Sequence, residues 1–270
     1  MLKFLVIIAL AAAFIFLYLR YIESSSVFFP TKNIELTPAN IGVAFEDVNF
    51  KTADGFSLHG WFIPHANASC TLLFFHGNGG NISDRLDKIL LLHKSKVNIF
   101  IIDYRGYGRS KGSPSERGLY LDSEAAYKYL IDQTDIFPQN IVVYGESLGA
   151  AVAVELALRK QIGALILEGA FSSGRDMGKI IYPYLPKFLI PNIFNNLGKI
   201  KDAKIPKLFI HSRDDEVVPF SSGKRLYDEA KIPKELVSIS GGHSSAFLDS
   251  EEKYTFSIVE FIRKLKEQRD

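Results

Sequence analysis

From residue 45 onward, short β-rich runs alternate with helical stretches, and that alternation calls for a mostly parallel sheet with helices on both faces. The runs cover 45–51, 56–63 after an Asp54-Gly55 turn, 70–75, 97–102, 141–144, 164–167, 207–210 and 235–239, about eight strands. The first two read as an antiparallel pair that leads into the sheet. Helices fill the intervals: one capped by Asn81-Ile82-Ser83-Asp84, then 119–131, 147–159 and 221–230. Asp249 and Ser250 cap a last helix with Ile258, Phe261, Ile262 and Leu265 on one face. At 270 residues and 47% hydrophobic, the chain holds enough apolar mass for one such domain, expected over 45–268.

One interval breaks the rhythm. Between 171 and 204 no strand pattern appears, and Pro183, Pro186 and Pro191 interrupt a dense set of bulky residues: Ile180, Ile181, Tyr182, Tyr184, Leu185, Phe188 and Phe194. Its length suits a small lid inserted over a site. From Gly174 to Lys207, seven basic residues (Arg175, Lys179, Lys187, Lys199, Lys201, Lys204, Lys207) stand against Asp176 and Asp202. Basic plus apolar surface suits an anionic bilayer, and the alternative is a lid core with solvated lysines.

At the other end, an unbroken apolar run from Phe4 to Leu19 ends at Arg20, at the short edge of a bilayer-spanning helix. Lys3 and Arg20 are placed to snorkel to the two interfaces. A cleaved signal segment is the competing reading, but cutting among Ala9, Ala11 and Ala13 would leave the apolar residues 14–19 on the mature end. The expectation is a single-pass membrane anchor over 1–22, then a linker over 23–44, with the bilayer as a partner. The positive charges flanking the run balance, so its orientation stays open. A net charge of +2 gives no reason to expect a nucleic-acid partner. The lone Cys70 provides for neither an internal disulfide nor a multi-cysteine metal site, and no metal or cofactor is expected.

The chemistry concentrates at four loops. Ile141-Val142-Val143-Tyr144 runs directly into Gly145-Glu146-Ser147-Leu148-Gly149 and then a small-residue helix, the strand-turn-helix context of a nucleophile elbow. Gly108-Arg109-Ser110-Lys111-Gly112 matches the same short pattern but lies in a polar loop followed by Ser113-Pro114, so context selects Ser147. An elbow serine takes its acid and then its histidine from farther along the chain. Asp214 and Asp215 compete for the acid after strand 207–210, and His243 follows strand 235–239 on a glycine-flexed loop as the general base. The loop Phe75-His76-Gly77-Asn78-Gly79-Gly80-Asn81 can aim backbone N–H groups at a developing oxyanion, which assigns the oxyanion hole to the amides of Asn78 and Leu148. His76 reads as the holder of that loop, and His59, His65, His93 and His211 read as structural.

The set FFHGNGGN, DYRGYGRSKGSPSERGLYLDSEAA, VVYGESLGAA, LEGAFSS, SRDDEVVP and GGHSS resembles the α/β-hydrolase superfamily over roughly 45–265. The nearest resemblance is to its single-anchor, small-lid branch, which includes abhydrolase-domain thioesterases and proteins grouped with serine aminopeptidases. The resemblance implies an α/β-hydrolase fold and selects Asp215, because the family's acid precedes a short x-x-V/I-P stretch, here Glu216-Val217-Val218-Pro219. It implies a Ser147-Asp215-His243 triad that cleaves esters or thioesters of lipid-like small molecules or acylated proteins, with no cofactor. A serine peptidase is the alternative within that family, and a non-catalytic membrane-tethered scaffold the alternative outside enzymes. Asp103-Tyr104-Arg105-Gly106-Tyr107-Gly108 reads as scaffold around the pocket.

Overall fold

A computed structural model describes residues 3–7, 10, 26–133 and 136–267. A two-residue ladder joins β1 (Phe29–Pro30) in parallel to β5 (Gly79–Gly80). The main sheet comprises β2 (Glu46–Lys51), β3 (Ser57–Ile63), β4 (Thr71–Phe75), β6 (Asn98–Asp103), β7 (Ile141–Glu146), β8 (Ala164–Glu168), β9 (Lys207–Ser212) and β10 (Lys234–Ile239). Their order is β10-β9-β8-β7-β4-β6-β3-β2. Antiparallel pairing is confined to β2 with β3 and β3 with β6, and every other neighbour is parallel. β4 and β8 are buried along their whole length, which explains the continuous apolar runs 72–75 and 164–167: a parallel strand covered on both faces has no solvent side.

Successive side chains feed opposite cores. Leu73, Phe75, Val143, Leu165 and Phe209 pack with α2 (Glu116–Gln133), α3 (Leu148–Arg159) and α6 (Phe220–Glu229). Leu72, Phe74, Val142, Ile166 and Leu208 pack on the other face with α1 (Leu86–Lys94) and α8 (Glu251–Glu267). In α8, Ile258, Phe261, Ile262 and Leu265 form the expected inward face, joined by Tyr254.

The interval 171–204 holds α4 (Gly174–Ile181), a 3-10 turn (Lys187–Leu189) and α5 (Asn196–Ile200). Ile180, Ile181, Tyr182, Leu185 and Leu189 are exposed, with Tyr184 97% and Phe188 81% exposed, whereas Phe194 is buried against Phe28, Tyr120 and Phe171. Lys207 does not belong to this basic surface: it opens β9, fully buried, and its Nζ donates to the carbonyls of Ala203 and Ile205 at 2.8 and 2.5 Å. Lys199 turns inward to Glu155 on α3 at 2.7 Å. Lys179, Lys187, Lys201 and Lys204 remain exposed.

The linker expectation also changes. Residues 26–44 are docked on the domain, with Phe28 and Val43 buried, because Phe28 finds a pocket beside Phe194 and β1 finds an open edge at β5. Most of the Phe4 to Leu19 run lies outside the described residues; among the described residues no helix is long and apolar enough to cross a membrane. The short helix Ala246–Asp249, α7, completes the fold beside the site.

Candidate active site

β7 delivers Ser147 at the C-terminal edge of the sheet. The serine has φ 51° and ψ −111°, a left-handed conformation that a non-glycine residue holds only where its surroundings enforce it. Its N–H donates to the Glu168 carbonyl at 2.9 Å, tying the turn to the end of β8. The flanking glycines are steric necessities: a Cβ at Gly149 would lie 1.9 Å from the Phe75 carbonyl oxygen, and one at Gly145 2.5 Å from the Gly149 carbonyl oxygen. Together these constraints lift the hydroxyl off the strand end.

Two later loops meet it. His243, after β10, places Nε2 3.1 Å from Ser147 Oγ, and its Nδ1 lies 2.7 Å from Asp215 Oδ2 in the loop after β9. Asp215 is almost wholly enclosed, and its other oxygen accepts the N–H groups of Val217 and Val218 at 3.0 and 2.7 Å. Burial works against its charge, but the His243 hydrogen bond and the two amides outweigh burial and hold the carboxyl below its ordinary value. For His243 burial opposes protonation, and the adjoining Asp215 overrides it, raising the imidazole above 6.5. Asp214 points away, exposed, and accepts the Gly241 N–H at 3.2 Å. His211 braces the acid loop from below, its Nε2 2.8 Å from the Val218 carbonyl.

The glycine-rich loop after β4 borders Ser147 on its other side. His76 is fully buried with Nδ1 2.7 Å from the Gly77 carbonyl, so that nitrogen carries the proton. Burial, then the charge of Arg85, push its pKa down to about 4, so the ring is neutral. The hydroxyls of Tyr104 and Tyr107 donate to the carbonyls of His76 and Asn78 at 2.9 and 2.7 Å. No backbone carbonyl accepts from the N–H of Asn78 or Leu148 among the described residues, and Leu148 is the first residue of α3, where helical N–H groups have no internal partner.

Ser110, the second pattern match, is buried: its hydroxyl donates to the Asp103 carbonyl at 2.7 Å and accepts the His59 N–H at 2.9 Å. His59 lies between Asp47 and Asp103, at 2.8 and 3.5 Å, and His65 stacks edge-on against His93. Arg105 forks onto Asp54 and also donates to Asp122, so the 103–108 segment is scaffold behind the loop.

Sequence reasoning passes over a buried ionic cluster directly behind the elbow. Lys88 Nζ reaches Glu146 at 2.5 Å and Glu168 at 2.9 Å; Arg85 reaches Glu146 at 3.0 Å; and Gly77 N–H donates to the same Glu146 carboxylate at 3.2 Å. The hydroxyls of Tyr144 and Tyr254 both donate to Glu168. Burial disfavours the Glu146 charge, yet Lys88 and Arg85 hold its pKa well below the carboxylate range. The available signal was Lys88 itself, a lysine one turn before Leu92 on the buried face of α1. A cavity of about 500 Å³ opens between Thr31, Asn78, Arg85, Ser147, His243 and Phe247. No residue of 171–204 lines it; the lid is held to the domain through Phe194, which packs on Phe28, Tyr120 and Phe171. Among the described residues no cluster of three or more His, Cys, Asp or Glu is arranged to hold a metal.

Comparison with known proteins agrees with this architecture. The family pattern of the alpha/beta hydrolase fold matches residues 71–190. The alpha/beta hydrolase domain-containing protein WAV2 of Arabidopsis thaliana is 34% identical over 258 residues, 87% of this chain and 83% of that protein. The chain belongs to the α/β-hydrolase family. An uncharacterised Mycobacterium tuberculosis protein is similar to this α/β hydrolase at 35% identity, over 88% of the chain and 86% of the relative. The Pyrococcus furiosus esterase Pf2001 shares the α/β-hydrolase fold with a TM-score of 0.74 at 23% identity, covering 88% of this chain and 98% of that structure. Membership supports a hydrolase.

Proposed function

We propose that this chain is a serine hydrolase that cleaves carboxylic ester or thioester bonds of lipid-like or acylated substrates. The observation that carries the reading is the unbroken relay from Ser147 Oγ through His243 to Asp215 at 3.1 and 2.7 Å. In this mechanism His243 Nε2 takes the serine proton as Oγ attacks the acyl carbonyl, and Asp215 orients the ring and stabilises the imidazolium. The N–H groups of Asn78 and Leu148 receive the oxyanion. His243 then returns the proton to the leaving alcohol or thiol, and water, activated by the same histidine, clears the acyl-enzyme. The esterase named among the structural relatives favours an ester substrate.

The lid and the N-terminus support a bilayer-borne substrate. Exposed Tyr184, Phe188, Ile180 and Ile181 form an apolar surface beside exposed Lys179 and Lys187, the composition that docks on anionic headgroups. Six residues lie between Arg20 and Val27, a stretch that spans at most about 25 Å when fully extended, and the Val27 carbonyl accepts from the Asn78 side chain beside the site. An anchored run would therefore hold the site at the membrane surface.

The test is turnover of esters and thioesters of increasing chain length beside aminoacyl arylamides, supplied in solution and in anionic vesicles. Long-chain esters or thioesters are expected to lead, and Lys179→Glu with Lys187→Glu to reduce the vesicle rate while sparing the soluble one. Arylamides as the best substrates would establish the peptidase alternative, and an equal loss in both formats would remove the bilayer from the account.

A further inference from the structure

The segment that follows the N-terminal apolar run is woven into the glycine-rich loop. Phe29 N–H donates to the Asn78 carbonyl, the Asn78 side-chain amide donates to the Val27 carbonyl, and Thr31 N–H donates to the Gly80 carbonyl, each at 3.1 Å. Asn81, buried, fastens the far end by donating Nδ2 to Thr31 Oγ1 at 2.8 Å and to the Asn33 carbonyl at 2.7 Å. Gly108 N–H donates to the Thr31 carbonyl at 2.9 Å, and Tyr107 hydroxyl shares the Asn78 carbonyl with Phe29. Phe28 is sunk edge-on against Phe194, ring centres 6.2 Å apart, which pins the segment to the lid as well.

This matters for one peptide plane. Asn78 is flanked by Gly77, Gly79 and Gly80, a stretch whose own conformational preference leaves the backbone free to swivel. The peptide between Gly77 and Asn78 carries the N–H assigned to the oxyanion, and because that peptide is rigid, holding its carbonyl end holds its N–H. His76 holds the carbonyl of Gly77. On the other side, Asn78 is fixed by its side chain on Val27 and by its carbonyl under Phe29 and Tyr107.

We infer that residues 27–31 are a positioning strap that aims the Asn78 N–H at the developing oxyanion, so that the joint between the N-terminal run and the domain is part of the catalytic apparatus. The inference rests on the reading of Ser147 as nucleophile. It also gives the docking of so short a segment a purpose: it completes a loop that glycine leaves underdetermined.

The test uses the full chain and the best soluble ester, with kcat, KM and melting temperature measured for Asn78→Ala, Thr31→Val and Phe28→Ala. Asn78→Ala keeps the backbone N–H and loses only the tie to Val27; Thr31→Val keeps the branched shape and loses the acceptor for Asn81. A misaimed donor lowers kcat and leaves ground-state binding alone, so each variant is expected to lose about tenfold to a hundredfold in kcat with KM nearly unchanged. Thr31→Ser is expected to restore the rate, and the pH profile to stay in place, because His243 and Asp215 are untouched. Should Phe28→Ala unfold, the two variants that each lose a single polar contact decide the matter. Wild-type kcat in both, or losses confined to KM or to the folded fraction, would overturn the strap alone. A wild-type enzyme with neither turnover nor a fluorophosphonate adduct at Ser147 would overturn the nucleophile reading, and the strap with it.

Discussion

Ser147 occupies a backbone conformation that costs about 1–3 kcal/mol for a residue with a side chain, and the fold around it offsets that cost through the Glu168 tie and the two flanking glycines. The histidine beside it is equally constrained. Burial alone would lower its pKa, and contact with the charged Asp215 raises it above 6.5 instead. A general base acts only when neutral, so activity rises with pH as the imidazolium loses its proton, and the acid limb of kcat/KM is expected to have its midpoint above 6.5. Asp215→Asn removes the raising influence and leaves the burial, so the midpoint moves down while kcat falls roughly 10⁴-fold. A midpoint at or below 6.5 in the wild type, measured by a pH-rate profile, would contradict that assignment of the base.

At the level of elements, the strand ends of β4, β7, β8, β9 and β10 bring Glu168, at the end of β8, and the loops of Asn78, Ser147, Asp215 and His243 to one edge of the sheet. The ionic cluster of Lys88, Glu146 and Glu168 locks α1 to the ends of β7 and β8 beneath them. Lys88→Met is expected to cost about 3–5 kcal/mol, because two carboxylates lose their shared buried cation; urea unfolding measures it, and an unchanged midpoint would show the cluster to be energetically idle. The strands were legible because each is a short apolar run bounded by turn residues, a local signal. The elbow around Ser147 carries a signal of the same kind, since it is a local motif with a steric logic. Asp214 and Asp215 share one local context, and the course of the loop over His243 is what separates them. Lys88 drew no reading and Lys207 was counted with the lid, because partners 58 and 80 residues away, or a carbonyl cage at a strand's start, leave no periodic trace. The docking of residues 26–31 was illegible on the same grounds: its partners lie some 50 residues on.

Across the whole molecule, two cores clamp one sheet, and the elements that vary the chemistry gather on its C-terminal edge. The lid, the strap and the glycine-rich loop meet there through Phe28, Phe194 and Asn78, so the surface that would face a bilayer and the relay that would do the chemistry belong to one side. Everything in that account turns on the hydroxyl being Ser147 and not Ser110, whose oxygen is buried and already engaged. The most direct measurement is fluorophosphonate labelling of the full chain followed by peptide mass mapping. One adduct on Ser147 is expected in the wild type and in Ser110→Ala, and none in Ser147→Ala; an unlabelled wild type, or a Ser147→Ala variant that labels as strongly as wild type, would contradict it.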